Sequence, residues 1–288
     1  MKKIKLLLLL LIALFMTSAC SISSSKLDNA NIYTTIYPVQ YITKYLYGEN
    51  STISSIYPVG VDLNKYNLTS KQIDNYSKGD LFVYIGLGNE KNVAKSLLNN
   101  NKKLLLIDAT HGLNYNNELT ELWLAPNNFL MLAKNIKNSL NEYLDNKIKQ
   151  DRVNTLYDDL YVKVSWIDAE LRNIGREAQE NGKNTIVVSS NVFKFLEGYG
   201  FDVISLEDIL NSDSENAISD IKTKFKNSKY TEIIKLSSEE NNQLMTELIT
   251  KYKAKMYDIN DLVTNSDSAS DYISIQYENI SVIRDITK

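Results

Sequence analysis

The chain has one cysteine, one histidine and three prolines in 288 residues, and these scarcities exclude much chemistry. A single cysteine cannot close a disulfide within the chain or build a thiolate cluster. A single histidine, His111, leaves no means of building a zinc site mainly from imidazoles. There is no basic excess either. The 32 Lys and Arg face 35 Asp and Glu, for a net charge of −3, and nucleic-acid binders normally carry the opposite balance. No nucleic-acid partner is expected. Gly-rich phosphate loops and the Gly-x-Ser-x-Gly nucleophile elbow are also missing, so enzymatic chemistry is not indicated.

What is present begins at the amino terminus. Lys2, Lys3 and Lys5 precede an apolar run from Leu6 to Met16, then the small residues Thr17, Ser18 and Ala19, then Cys20. A basic start, an apolar stretch and small residues at a cut describe an export signal. The stretch is short of the roughly 20 apolar residues that span a bilayer. With Cys20 directly after it, the segment resembles the lipobox of bacterial lipoproteins, although Thr17 stands where leucine is usual. The alternative is a plain secretory signal with a chance cysteine. On the lipobox reading, residues 1–19 are removed, Cys20 takes the lipid, and two or more acyl chains give durable anchoring. The product is expected on the extracytoplasmic face of the cell membrane. Removing residues 1–19 takes away three lysines and no acid, leaving 269 residues and moving the net charge from −3 to −6. That length is ample for two α/β lobes.

Downstream, residues 20–27 read as the lipidated cysteine and a Ser-rich tether, 28–146 as an N-terminal lobe, 147–181 as a bridging helix and 182–288 as a C-terminal lobe. In the first lobe, strands are expected at Ile32–Tyr37, Thr52–Tyr57, Leu81–Ile85 and Lys103–Ile107. Helices are expected at Val39–Tyr47, Ser70–Tyr76, Glu90–Asn99 and Asn127–Leu144, the last entered through Pro126. The second lobe repeats the style, with strands at Thr185–Ser189, Asp202–Ser205, Glu232–Leu236 and Ala254–Tyr257. Its helices are expected at Val192–Glu197, Glu215–Phe225, Ser238–Lys251 and Ile273–Ile283. Alternation of this kind predicts an α/β fold of two lobes, each a mainly parallel sheet flanked by helices, joined by one long bridging helix.

The bridging segment carries Val153, Leu156, Leu160, Val164, Ile167, Leu171 and Ile174 at spacings of three and four, a stripe along one helix face. Asp158, Asp159, Lys163, Asp168 and Arg172 occupy the rest of the surface. From Asp151 to Gln179 such a helix would run roughly 40 Å. It can be a stiff strut across both lobes, or, since the spacing approaches a heptad, the seam of a coiled-coil dimer.

Several segments, in order, resemble the zinc- and manganese-type (cluster A-I) substrate-binding lipoproteins of metal ABC transporters. Thr34-Thr35-Ile36-Tyr37-Pro38 resembles their first strand end, and Pro58-Val59-Gly60-Val61-Asp62-Leu63-Asn64 their approach to the first metal ligand. Asp80-Leu81-Phe82-Val83-Tyr84-Ile85-Gly86-Leu87-Gly88-Asn89-Glu90 matches their strand and turn closely. Leu122-Trp123-Leu124-Ala125-Pro126, Gly198-Tyr199-Gly200-Phe201, and the Tyr272 and Asn279 pair complete the series. The resemblance spans essentially the whole mature chain and implies an extracytoplasmic solute-binding protein, acting as a monomer with an ABC permease.

It also implies four ligand positions, and most are altered. The first two histidine positions hold Asn64 and Glu121, the third ligand falls on Ser190, and the closing carboxylate on Asp261. Asp261 has a second reading as an exposed loop acid, and His111 lies in a loop that supplies no ligand in the family. No cofactor is implied with certainty. A set of oxygen donors would hold a divalent ion (Mn, Mg or Zn) weakly, the harder ions being preferred.

Three roles are therefore weighed. One is an importer's binding protein with an altered or degenerate metal site. Another is an adhesin-like or accessory surface lipoprotein that has kept the fold and lost the metal. The third, an enzyme, has least support, because the paired acids Asp158-Asp159 and Glu239-Glu240 read as solvated helix faces. The anchor gives the first prediction. Cys20→Ala should abolish incorporation of labelled fatty acid and release the protein from membranes; wild-type membrane retention by the variant would refute the anchor.

Overall fold

A computed structural model describes residues 27–59, 66–116, 118–265 and 270–288. Cys20, its signal and tether, and Asn64 lie outside these residues. The first sheet holds β1 (Ala30–Thr34), β2 (Ser51–Ser55), β3 (Leu81–Tyr84) and β4 (Leu105–Asp108), all parallel, in the order β2-β1-β3-β4. The second holds β5 (Thr185–Val188), β6 (Asp202–Ser205), β7 (Glu232–Leu236) and β8 (Lys255–Ile259), also parallel, in the equivalent order β6-β5-β7-β8. Each expected strand is found: Asp202–Ser205 and Glu232–Leu236 match at both ends, and the others differ by at most three residues at an end.

Helices fill the connections, as parallel strands require. They are α1 (Tyr37–Tyr47), α2 (Ser70–Tyr76), α3 (Glu90–Asn100), α4 (Glu121–Leu124) and α5 (Pro126–Tyr143), then the long α6 (Lys147–Glu180). The second lobe adds α7 (Leu206–Asn211), α8 (Glu215–Lys226), α9 (Gln243–Tyr252) and α10 (Tyr272–Thr287). Local chemistry sets several starts. Thr69 and Gln72 form a reciprocal capping box before α2, Pro126 opens α5, and Asn146 caps α6 by accepting from the Ile148 N–H at 2.9 Å.

Three expectations need correction. Val192–Glu197 is part of a 3-10 segment, Asn191–Tyr199, closed by Gly200 at φ 94°, a left-handed turn that favours glycine. The helix expected from Ser238 starts only at Gln243, because the Asn242 side chain caps it by accepting from the Met245 N–H at 2.9 Å. Glu239 is consequently a loop residue and not part of a helix face. The short helices α4 and α7 have too few residues to show a helical period in sequence.

The stripe on α6 is buried as expected: Val153, Leu160, Val164, Ile167, Leu171 and Ile174 are all inside, with Leu156 half-buried. They join one continuous core with residues of both lobes. Helix α6 packs on α1 and α5 of the first lobe, on α10, and on the 3-10 segment of the second. The stripe is thus used within the chain and is not free to form a dimer seam. Close approach fixes the far end, since a Cβ on Gly175 would stand 1.8 Å from the Tyr199 carbonyl oxygen. Polar ties run along the helix: Arg152 to Glu49 at 3.0 Å, Lys149 to Asp28, the Tyr199 hydroxyl to Asp168 at 2.7 Å, and Arg284 to Glu170. An exposed pair such as Arg152–Glu49 contributes little, about 0–1 kcal/mol; the buried face holds the helix.

Leu160→Asp should therefore cost several kcal/mol, because an unpaired charge would replace a fully buried side chain. Tyr161→Asp, one residue on and 50% exposed, should melt close to wild type. Equal melting curves for Leu160→Asp and wild type would disprove the buried strut.

Candidate functional site

In open α/β sheets, ligands bind beyond the carboxyl ends of the strands, where the strand order reverses. In the second lobe that point lies between β5 and β7. A cavity of about 300 Å³ opens there. Its walls come from just past three strands: Ser189 and Ser190 after β5, Glu207 after β6, and Glu239 after β7. The opposite wall is Glu118, from the loop before α4 in the first lobe, so the cavity belongs to the cleft between lobes.

Its carboxylates are ordered by definite partners. Glu207 accepts from the Asn191 N–H at 2.7 Å, and the Ser189 hydroxyl donates to Glu239. Glu118 hydrogen-bonds Glu207, and its pKa is pushed up to about 6, mainly by burial and further by the charges of Glu207 and Glu239. The nearby Lys235 ammonium donates to the Leu236 and Glu239 carbonyl oxygens, at 3.1 and 2.6 Å, and lies 3.6 Å from Asp258. The Ser190 hydroxyl is buried and, among the described residues, has no hydrogen-bond partner.

The residues singled out in sequence do not all meet at this cavity. Ser190 lines the cavity. Glu121 is buried at the start of α4, which packs against the 3-10 segment that follows Ser190, and its Oε1 is 3.5 Å from the Asn128 amide nitrogen. Asp261 is partly exposed, and one of its carboxylate oxygens accepts from the Val263 N–H at 3.1 Å. Neither Glu121 nor Asp261 lines the cavity, and Asn64 lies outside the described residues. His111 is exposed in its loop. Among the described residues, no three His, Cys, Asp or Glu stand close enough to hold one metal ion.

The two closing-helix residues act as fasteners. The Tyr272 hydroxyl donates to the Trp123 carbonyl at 2.7 Å, and Trp123 Nε1 donates to the Asp261 carbonyl at 2.7 Å. Tyr272 stacks on Phe129, with ring centroids 3.8 Å apart. Asn279 brackets Asn260, accepting from its N–H at 2.8 Å and donating to its carbonyl at 3.0 Å. The segment bearing Glu121 and the loop bearing Asp261 are thereby pinned to each other across the lobes.

With this geometry the family can be decided. Residues 32–286 match the family of the zinc-uptake complex component A, periplasmic, ZnuA. The chain belongs to this family. Its members are uptake components and not enzymes, in keeping with the sequence's lack of nucleophile and phosphate-loop motifs. The zinc-binding lipoprotein AdcA of Streptococcus pneumoniae is 26% identical over 315 residues, covering 100% of this chain and 61% of that protein. The chain thus spans less than two thirds of that relative. The manganese ABC transporter substrate-binding lipoprotein PsaA of Streptococcus pneumoniae is 28% identical over 262 residues, covering 81% of this chain and 80% of that one. The crystal structure of the Zn(II)-bound ZnuA-like domain of AdcA superposes with a TM-score of 0.70 at 21% identity. It covers 90% of this chain and 99% of that one, and it establishes likeness of fold.

Glu118, Glu207 and Glu239 were not legible as site residues. The available signal was position, since Glu207 and Glu239 each follow a strand end by two or three residues. Glu118 gives a pH prediction. Its pKa is raised from 4.5 to about 6, so the folded chain binds this proton more tightly than the unfolded chain. The contribution favours folding at low pH and fades as pH rises through about 6. Glu118→Gln should therefore melt above wild type at pH 7.5, and the gap should close by pH 4.5. A pH-independent difference would contradict the assignment.

Proposed function

We propose that this chain is the membrane-anchored, extracytoplasmic solute-binding component of a metal-type ABC importer, held by lipid at Cys20 and working as a monomer with a permease. In this reading its site is altered: the family's ligand positions hold Asn64, Glu121, Ser190 and Asp261 and do not make a tight zinc site. The observation that carries the reading is a family match running from residue 32 to residue 286 in a chain without a histidine at any of those positions. Zinc is best held by imidazole and thiolate in a tetrahedron. Here the set offers two carboxylates, a hydroxyl and an amide, and Asp261 already accepts a backbone N–H. Such oxygen donors favour harder divalent ions.

Calorimetry on the chelator-stripped full-length lipoprotein tests this. Wild type should show no sub-micromolar zinc affinity, and the combined Asn64→His, Glu121→His, Ser190→His variant should gain measurable zinc binding. Tight zinc binding by wild type would overturn the altered-site reading. A triple variant no better than wild type would mean that the three positions do not converge.

A further inference from the structure

The buried stripe uses one face of α6, and the outward face carries apolar side chains of its own. Four of the nine exposed large apolar side chains among the described residues lie on this helix: Ile148, Tyr161, Val162 and Trp166. At 3.6 residues per turn, Ile148, Thr155, Val162 and Trp166 fall within about 40° of one another and about 150° round from the buried Leu160, Val164, Ile167 and Leu171. Trp166 is 67% exposed and Ile148 80% exposed, so nothing among the described residues covers them. Resting on the lipid-anchored reading above, we propose that this outer stripe lies in the headgroup region of the membrane that holds the anchor. Helix α6 then runs along the bilayer surface with both lobes on its far side.

Three observations carry this. The first is where the chain leaves the fold. Leu27 is fully buried, its carbonyl accepting from the Tyr47 hydroxyl at 3.3 Å, and Asp28 pairs with Lys149 in the first turn of α6. Only residues 20–26 separate that point from the lipidated cysteine, a reach of at most about 25 Å. The first turn of α6 is therefore kept close to the bilayer, and tethering raises the effective concentration at which weak apolar contacts act.

The second is the chemistry of the stripe. Tryptophan and tyrosine concentrate at membrane–water interfaces, where the ring is sheltered and the N–H or O–H stays wet. Trp166 stands roughly 27 Å along the helix from Ile148, so the contacts lay the helix down instead of pinning one end. An apolar face held in the interface plane is how surface helices bind lipid. The third is charge. Lys147 with Asp151, Lys163 with Asp159, Arg172 with Asp168 and Arg176 with Glu180 pair along the helix, at 2.8, 3.1, 2.9 and 3.4 Å. Charges matched in this way leave little net field to repel an anionic surface. The spacing of Ile148, Thr155, Val162 and Ala169 would also suit a second copy of the chain. The short tether favours lipid, because it holds this face at the bilayer at any protein concentration.

The test places an environment-sensitive fluorophore on Val162→Cys in the full-length lipoprotein, whose Cys20 thiol is taken by lipid, and reconstitutes it in vesicles of phosphatidylglycerol and phosphatidylethanolamine. Its emission should shift to the blue and be quenched by brominated acyl chains. The same label on Lys229→Cys, exposed in the loop between α8 and β7, should emit as in water. Adding Ile148→Asp and Trp166→Asp should abolish the shift at Val162→Cys while the melting temperature stays near wild type, since both side chains are exposed. A lipidated protein whose two labels behave alike overturns the proposal and leaves the importer reading standing. So does a blue shift that grows with protein concentration in the soluble Cys20→Ala chain without vesicles, which would put a second copy on this face. Failure of Cys20 to incorporate labelled fatty acid is the separate result that removes the anchored reading itself.

Discussion

Burial of one face of α6 is the constraint on which the rest of the structure depends. A helix of 34 residues runs about 50 Å at 1.5 Å per residue, longer than either lobe needs for itself. Its apolar stripe is satisfied only if one lobe covers each part of it, and exposing either part would cost roughly 25 cal/mol per Å² of apolar surface. The close contact of Gly175 with the Tyr199 carbonyl fixes the distal lobe on the helix, and packing of α5 and α1 fixes the proximal one. The cleft is what remains between two bodies held on one rod. Such a rod predicts small tilts between the lobes instead of the wide closure that a flexible hinge allows.

A second set of ties joins α4, α10 and the loop at Asn260 and Asp261. Trp123, Tyr272, Gln276 and Asn279 form a hydrogen-bonded chain from α4 through α10 to the loop at Asn260 and Asp261. The Gln276 amide donates to the Leu124 carbonyl at 3.1 Å and to the Tyr272 hydroxyl at 2.8 Å, all of it buried. Buried polar networks of this sort specify one arrangement strongly when fully satisfied. They fix how the segments bearing Glu121 and Asp261 meet, whatever residues serve as ligands. These contacts define the cleft, whereas a cargo ligand can change without disturbing a core.

Sequence reading went far on the fold for a clear reason. Val153 to Ile174 repeat at helical spacing, and strands such as Glu232–Leu236 are short β-branched runs between polar loops, so burial is written into the pattern. It went less far where structure depends on a few residues. Helices α4 and α7 are shorter than two turns and show no period. Asn242 stops α9 from extending back, which turns Glu239 from a surface acid into a cleft residue. For the site, the family resemblance pointed to Ser190 and to the neighbourhood of Glu121. It could not reveal that Glu118, Glu207 and Glu239 meet, because their approach is created by folding of two lobes from segments far apart in the chain.

If the cleft favours oxygen-preferring cations over zinc, as proposed, the most direct check is the metal the protein carries from its own cell. Full-length lipoprotein extracted from native membranes in detergent, without an affinity tag or added metal, can be assayed by inductively coupled plasma mass spectrometry. Manganese, calcium or magnesium is expected in excess of zinc. Zinc at one equivalent per chain, surviving dialysis, would contradict it.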